Sequence, residues 1–337
     1  MSQAIGEAVL VTGGAGYVGS HACKALARAG YIPVTYDNLA YGHREAVRWG
    51  AFVQADLADR DALAEALRRF EIKAVMHFAA SANVSDSLER PELYYRNNVI
   101  NSLILLDCMH YAGVDSIVFS SSAATYGTPE TVPIHETTPQ HPVNPYGETK
   151  LAVERALHWY GGAHGIAYAA LRYFNASGAD PDAEIGEVHR PETHLIPLIL
   201  ETALGRRSHI EVYGTNYPTE DGTAVRDYIH VQDLADAHVR ALNHLRKGGG
   251  SIALNLGAGQ GHSVLQVIAA AERVTGRRIS WRETARRPGD PPVLVADTTL
   301  VREVLSWAPQ LSDLDSIIKT AWSWHCRDLE RQKPSAD

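Results

Sequence analysis

Cysteine is scarce in this chain of 337 residues: Cys23, Cys108 and Cys326 stand far apart, and none belongs to a CxxC pair. A disulfide frame and a cysteine-built zinc site are therefore excluded, and a reducing compartment is expected. Positive charge is equally short. Lysine and arginine number 31 against 39 aspartates and glutamates, a formal net charge of −8 with no basic tract. No nucleic acid and no anionic membrane surface is expected as a partner, and an anionic ligand must be held by a few placed arginines. No apolar run approaches a membrane span, and the N-terminal residues lack the basic patch and apolar stretch of a leader, so a soluble, cytoplasmic protein is expected. The 16 histidines include no HExxH or equivalent spacing, so no metal is expected.

What is present is organised around residues 8–37. Ala8, Val9, Leu10 and Val11 form a short apolar run, as in a strand buried on both faces. Gly13, Gly14, Gly16 and Gly19 follow directly. Glycine suits a sharp turn, the close approach of a phosphate, and tight packing of a helix on a sheet. A helical pattern over residues 19–29 aims its unpaired N–H groups and positive dipole end at that turn, and Gly30 stops it. Ile32, Val34 and Tyr36 open a second strand that ends in Asp37, 18 residues past Gly19. A carboxylate there accepts the ribose hydroxyls of a dinucleotide and repels an added 2′-phosphate, so NAD is expected rather than NADP.

Strand and helix patterns alternate onward: a strand at 51–53 leading to Asp56 and Leu57, a helix over 60–70, and a strand at 74–78 closed by Ala79, Ala80 and Ser81. A long helix around 93–111, a strand at 116–120 and a strand at 167–173 continue the series. Such repeated units imply an α/β fold, a doubly wound, Rossmann-like parallel sheet that binds ligands beyond the carboxyl ends of its strands. Five prolines between residues 128 and 145 predict a rigid loop across that mouth, followed by a helix over 146–160. Past Asn175, residues 178–193 are polar and the later elements shorter and mixed. The predicted organisation is an NAD-binding domain over 1–175 and a smaller mixed α/β substrate domain over 176–330. Residues 227–250 return to the first domain, and 331–337 form a frayed tail.

Tyr146 and Lys150, four apart on one helix, project from the same face. An ammonium beside a phenol stabilises the phenolate and lowers the tyrosine pKa from its free value of about 10. A tyrosine so tuned exchanges a proton near neutral pH. Ser120, Ser121 and Ser122 end the fifth strand, where one hydroxyl reaches a substrate oxygen.

Gly13-x-x-Gly16-x-x-Gly19, Asp37-Asn38, Ser120-Ser121-Ser122 and Tyr146-x-x-x-Lys150 resemble the extended short-chain dehydrogenase/reductases. Within that superfamily the likeness is to the branch that interconverts UDP-glucose and UDP-galactose, and it spans roughly residues 8–324. Its sharpest pieces are VTGGAGYVGSH from Val11, YDNL from Tyr36, HFAA from His77, YYRNNV from Tyr94, LRYFNASGA from Leu171 and PTEDGTAVRDYIHVQDLADAHV from Pro218. The resemblance implies that Ser122 and Tyr146 are the catalytic pair, with Lys150 tuning Tyr146 and holding the NAD ribose. It implies cofactor contacts at Gly13, Gly16, Tyr17, Val18, Gly19, Asp37, Asn38, Asp56, Leu57, Phe78, Ala79, Ala80, Asn97, Lys150 and Phe174. The UDP-sugar would meet Ser122, Tyr146, Asn175, His194, Leu195, Tyr213, Arg226, Arg287 and Asp290. The implied reaction oxidises carbon 4 of the sugar to a ketone and reduces it again from the opposite face.

A homodimer is implied as well, through the helices beginning near Leu93 and Glu148. Leu103, Leu106, Leu151 and Leu157 either make that contact or face the sheet. Three positions depart from other members: no lysine near Ala82, His194 in place of asparagine, and Leu294 where a tyrosine restricts the pocket. Leu294 keeps acceptance of UDP-N-acetylglucosamine open, and the alternative is a related 4-epimerase of UDP-xylose and UDP-arabinose, or of several sugars. A 4,6-dehydratase would want an acid pair where Ala123 and Ala124 stand, and a non-catalytic regulator would tend to have lost Tyr146 or Lys150.

Overall fold

The computed structural model describes residues 6–287 and 289–332. In the first half of the chain β1 (Ala8–Thr12), α1 (Tyr17–Arg28), β2 (Ile32–Asp37), β3 (Ala51–Gln54), α2 (Arg60–Arg69) and β4 (Ala74–His77) follow in order. Next come α3 (Val84–Glu89), α4 (Pro91–Tyr94), α5 (Asn101–Ala112), β5 (Ser116–Ser122), α6 (Pro145–His164), β6 (Ala167–Tyr173) and β7 (Asn175–Ser177). The second half holds α7 (Leu195–Ala203), β8 (Ile210–Tyr213), β9 (Val225–His230), α8 (Val231–Arg246), β10 (Ile252–Leu256) and β11 (Gly261–Ser263). It closes with α9 (Val264–Thr275), β12 (Trp281–Thr284), β13 (Val293–Leu294), α10 (Thr299–Leu305) and α11 (Leu314–Gln332).

Seven parallel strands form one sheet in the order β10-β6-β5-β4-β1-β2-β3. Strand order reverses between β1 and β4, and a doubly wound sheet opens its ligand crevice at such a switch. Apolar runs in the strands serve both faces. Val9 and Val11 pack with Leu26 of α1 and Leu234 and Leu242 of α8, whereas Leu10 and Val34 pack with Leu63, Leu105 and Leu157. Residues 231–246 lie against α1, and β10 beyond them is the sheet's outer strand. Trp307, after α10, joins the same core. A third core of Ile196, Ile199, Leu200, Val212, Ile268, Ile317 and Ile318 holds α7, α9 and α11 together beside the small sheets β11-β9-β13 and β12-β8. Gln332 ends α11, and residues 333–337 of the expected tail lie outside the described residues.

The helix expected over 93–111 is interrupted. A π-helical turn, Tyr95–Ile100, separates α4 from α5. Such a turn re-aims side chains, and here Asn98 is buried, accepting from the Ser81 N–H at 2.8 Å while donating to the Ser81 carbonyl and to Thr149 Oγ1. Asn97 donates to Ser81 Oγ at 3.1 Å. The loop after β4 is thereby tied to α6, the helix that carries Tyr146 and Lys150.

Candidate active site

A cavity of about 1870 Å³ lies beyond the carboxyl ends of the strands, between the sheet and the second half of the chain. Every residue singled out above for catalysis, cofactor or substrate lines it, as do Ala82 and Leu294.

Its first wall is the turn from β1 to α1. Gly13 has φ +70, and a Cβ on it would stand 2.6 Å from the Ala79 nitrogen. The loops after β1 and β4 therefore touch at the switch point, which only glycine permits. A Cβ on Gly19 would lie 2.2 Å from the Gly13 carbonyl oxygen. Gly16 caps α1 without a side-chain acceptor, so the first-turn amides and the positive end of the helix are left for an anion. Asp37 closes the turn, accepting from the Ala15 N–H at 3.0 Å and the Leu39 N–H at 2.8 Å. Burial raises its pKa, and those two donors oppose the rise. Asn38 donates to Asp56 Oδ2 at 2.7 Å, bringing the ends of β2 and β3 together. An uncapped helix start, a glycine turn and a carboxylate with spare lone pairs fit a dinucleotide bearing free ribose hydroxyls.

The three serines at the end of β5 have three different partners. Ser120 Oγ pairs with Tyr173 Oη, and buried Ser121 donates to Glu154. Ser122 Oγ accepts from the Ala124 N–H at 3.1 Å and is the hydroxyl that draws the Tyr146 pKa down. Ser120 and Ser122 both line the cavity, and Ser122 is the one that acts on the Tyr146 phenol, while Ser120 is taken up by Tyr173.

The expectation that Lys150 lowers the Tyr146 pKa is corrected. Burial pushes the Tyr146 phenol up, opposed by the Ser122 hydroxyl. Lys150 is 3% exposed, its ammonium donates to the Ser120 carbonyl at 2.7 Å, and it lies 5.8 Å from the centroid of the Tyr146 ring. Burial pulls its pKa down to about 7, with the Glu154 charge opposing. An ammonium that burial leaves only partly protonated near pH 7 offers the phenol less positive charge.

The far wall belongs to the second half of the chain. Asn175 opens β7, Phe174 precedes it, and Tyr213 ends β8. Arg226, in β9, pairs with Asp290 and lies in register with Leu294 of β13, while the Arg287 guanidinium stacks 4.0 Å above the Tyr213 ring. His194 caps α7 just ahead of Leu195, with Nδ1 against Glu187. His189 Nδ1 reaches the same Glu187 oxygen at 3.1 Å.

Sequence reading had passed over Glu187, His189 and Glu192. Burial pushes Glu187 up, but the two imidazoles outweigh it and hold the carboxyl down to about 2. Burial likewise lowers His189, and its bonds to Glu187 and Glu192 raise it to about 10. The donor atoms of Glu187, His189, Glu192 and His194 all lie within 4.8 Å of one another, as metal ligands would. The carboxylates raise both histidines, so the acids and imidazoles of the cluster pair with one another. Alternating acids and histidines over residues 187–194 were the signal, masked by the polarity of the whole loop.

The family described as NAD dependent epimerase/dehydratase matches residues 9–257. A UDP-glucose 4-epimerase of Rhizobium leguminosarum bv. trifolii is 52% identical over 322 residues, 96% of this chain and 98% of that protein. The crystal structure of UDP-glucose 4-epimerase from Brucella ovis in complex with NAD superimposes with a TM-score of 0.92 at 52% identity, covering 94% of this chain and 98% of that one. UDP-glucose-4-epimerase from Stenotrophomonas maltophila, with bound NAD and formylated UDP-arabinopyranose, gives a TM-score of 0.93 at 43% identity over 97% of this chain and the whole of that one. With the family matched over most of its length, the chain belongs to the NAD dependent epimerase/dehydratases.

Proposed function

We infer that this protein is an NAD-dependent UDP-glucose 4-epimerase, which inverts carbon 4 of a UDP-hexose through a transient 4-keto sugar. The observation that carries the reading is that Ser122, Tyr146 and Lys150 line one cavity between a dinucleotide cradle and the arginines Arg226 and Arg287. Bound NAD supplies a reversible two-electron acceptor for carbon 4. Tyr146 Oη takes the proton of the 4-hydroxyl and later returns it, and Ser122 donates to the phenolate as charge develops. Lys150, poised at about 7, holds the ribose side of the site and adds positive charge when protonated.

Arg226 exchanges Asp290 for the diphosphate, and Arg287 leaves the Tyr213 ring to complete a pair of planar donors suited to phosphate oxygens. Glu187 raises the His194 pKa, which favours positive charge on the same wall. Asn175 and Leu195 complete the shell. Firm charge on the nucleotide with little charge on the sugar lets the flat 4-keto ring turn and present its other face. Purified protein given UDP-galactose, with no added NAD, is expected to form UDP-glucose. No conversion of any UDP-hexose or UDP-pentose would reject the assignment.

A second reading, broader sugar range, is favoured by Leu294, whose apolar side chain lines the cavity beside Arg226. Side-by-side rates on UDP-galactose, UDP-xylose and UDP-N-acetylglucosamine separate the two. We also propose that two copies pair through α5, its preceding turn and α6. Leu106, Leu151 and Leu157 are buried within the chain itself, whereas Tyr95, Ile100, Tyr111 and Trp159 are exposed and support that contact. Among the described residues no helix is long and apolar enough to cross a membrane, and a cytoplasmic site is part of the same proposal.

A further inference from the structure

We propose that residues 178–188 form a strap across the dinucleotide pocket, pinned to α1 by Lys24, and that this pin keeps the cofactor resident between turnovers. The inference rests on the NAD reading above. Lys24 sits in the helix whose N-terminus meets the cofactor, yet its ammonium is only 3% exposed. It donates to Asp180 Oδ1 at 2.7 Å and Glu184 Oε2 at 2.6 Å, with Asp182 Oδ2 at 3.5 Å. Asp180 is fully buried. A buried ammonium with matched carboxylates holds its geometry closely, because separating the partners strands a charge away from water.

Three more contacts tie the same segment to the cofactor loops. Tyr17 donates from its hydroxyl to the Gly178 carbonyl at 2.7 Å, and His43, past β2, meets the Val188 carbonyl at 3.1 Å. Arg48 donates to the Glu184 carbonyl at 3.1 Å. The loops after β1 and β2, which cradle the two ends of an adenosine diphosphate, are thus fastened to one strap. On its outer side the strap is anchored to α11. Thr320 Oγ1 accepts from the Ala179 N–H at 3.2 Å, and the Trp324 indole donates to the Glu187 carbonyl at 3.1 Å. Gly186 lies flat on that indole, where a Cβ would stand 2.4 Å from the ring. Because Glu184, Glu187 and Val188 line the cavity, a dinucleotide seated there leaves only when the strap unpins. Release is then gated by an opening equilibrium rather than by cofactor contacts alone.

The test is the rate at which bound NAD exchanges with labelled NAD in the intact protein, beside the melting temperature of each variant. Glu184→Gln removes a half-exposed charge without stranding another, and Lys24→Met with Asp180→Asn removes the buried pair together. Both are expected to exchange NAD about tenfold faster or more, equivalent to about 1.4 kcal/mol of lost closure, while the wild type holds NAD through gel filtration. Exchange at the wild-type rate in Glu184→Gln and in the double variant overturns the strap. A wild type that carries no nicotinamide at all overturns the NAD reading itself, a separate outcome.

Discussion

Glu154 grips Arg172 with both carboxylate oxygens, Nε at 3.0 and 3.2 Å and Nη2 at 2.6 Å, one helical turn beyond Lys150. Each side chain is 7% exposed. Ser121 donates to the same carboxylate, and Arg172 donates onward to Tyr126, whose hydroxyl reaches Asn255 at 2.7 Å. The pair fastens α6 to β6 directly beneath Ser122 and Lys150.

Breaking that pair strands a guanidinium. Glu154→Gln is expected to lower unfolding stability by about 3–5 kcal/mol, as for other buried pairs that lose one partner, measured by urea denaturation. Because the Glu154 charge raises the Lys150 pKa, its loss also moves the alkaline limb of activity to lower pH. An unchanged pH profile would show that Glu154 supports the fold without influencing Lys150.

The serine partners lead to a second comparison. Tyr146→Phe deletes the proton carrier and is expected to cost about 10²–10⁴ in turnover, with bound NAD and melting temperature retained. Ser122→Ala loses one donor to a charged oxygen, roughly a ten- to hundredfold effect. Ser120→Ala breaks only the contact with Tyr173, so its turnover stays within a few-fold of wild type. Equal losses in the two serine variants would remove the special place of Ser122.

The doubly wound sheet was legible because short apolar strands, glycines and Asp37 recur at spacings that few other folds satisfy. Helical spacing placed Tyr146 and Lys150 on one face, and the roles expected of them came from the family resemblance. Their electrostatics were not legible, since the depth at which Lys150 is buried depends on Phe119 and Ser120 from a different element. The π-helical turn was hidden for a similar reason: Asn97 and Asn98 read as helix positions until Ser81 and Thr149 are placed opposite them. Lys24 carried no signal in the sequence, because its partners stand 156 and 160 residues away.

Gly19 gives a third expectation. A methyl group there must displace the Gly13 carbonyl, a backbone atom with no soft side chain to yield. Gly19→Ala should therefore push α1 off the turn and abolish copurified nicotinamide. Far-ultraviolet circular dichroism and absorbance of the released cofactor check the two halves. Full NAD content in that variant would mean that the turn gives way more easily than its packing suggests.

Lys150→Met should separate stability from activity through pH. In the folded chain Lys150 is pulled down to about 7, against about 10.4 when unfolded. Between those values the unfolded chain binds the extra proton, so the wild type gains stability as pH rises through that window and loses it as pH falls. Below about 7 the full burial cost of the ammonium is present, and above about 10.4 it has vanished. Methionine carries no such cost. The variant, freed of cofactor, is expected to melt higher than wild type at pH 6, with the gap narrowing at pH 9, while its turnover falls at both. A pH-independent gap in melting temperature would mean that Lys150 stays protonated in the folded protein as it does in the unfolded chain, and the role given to it as a group poised near neutrality would fall.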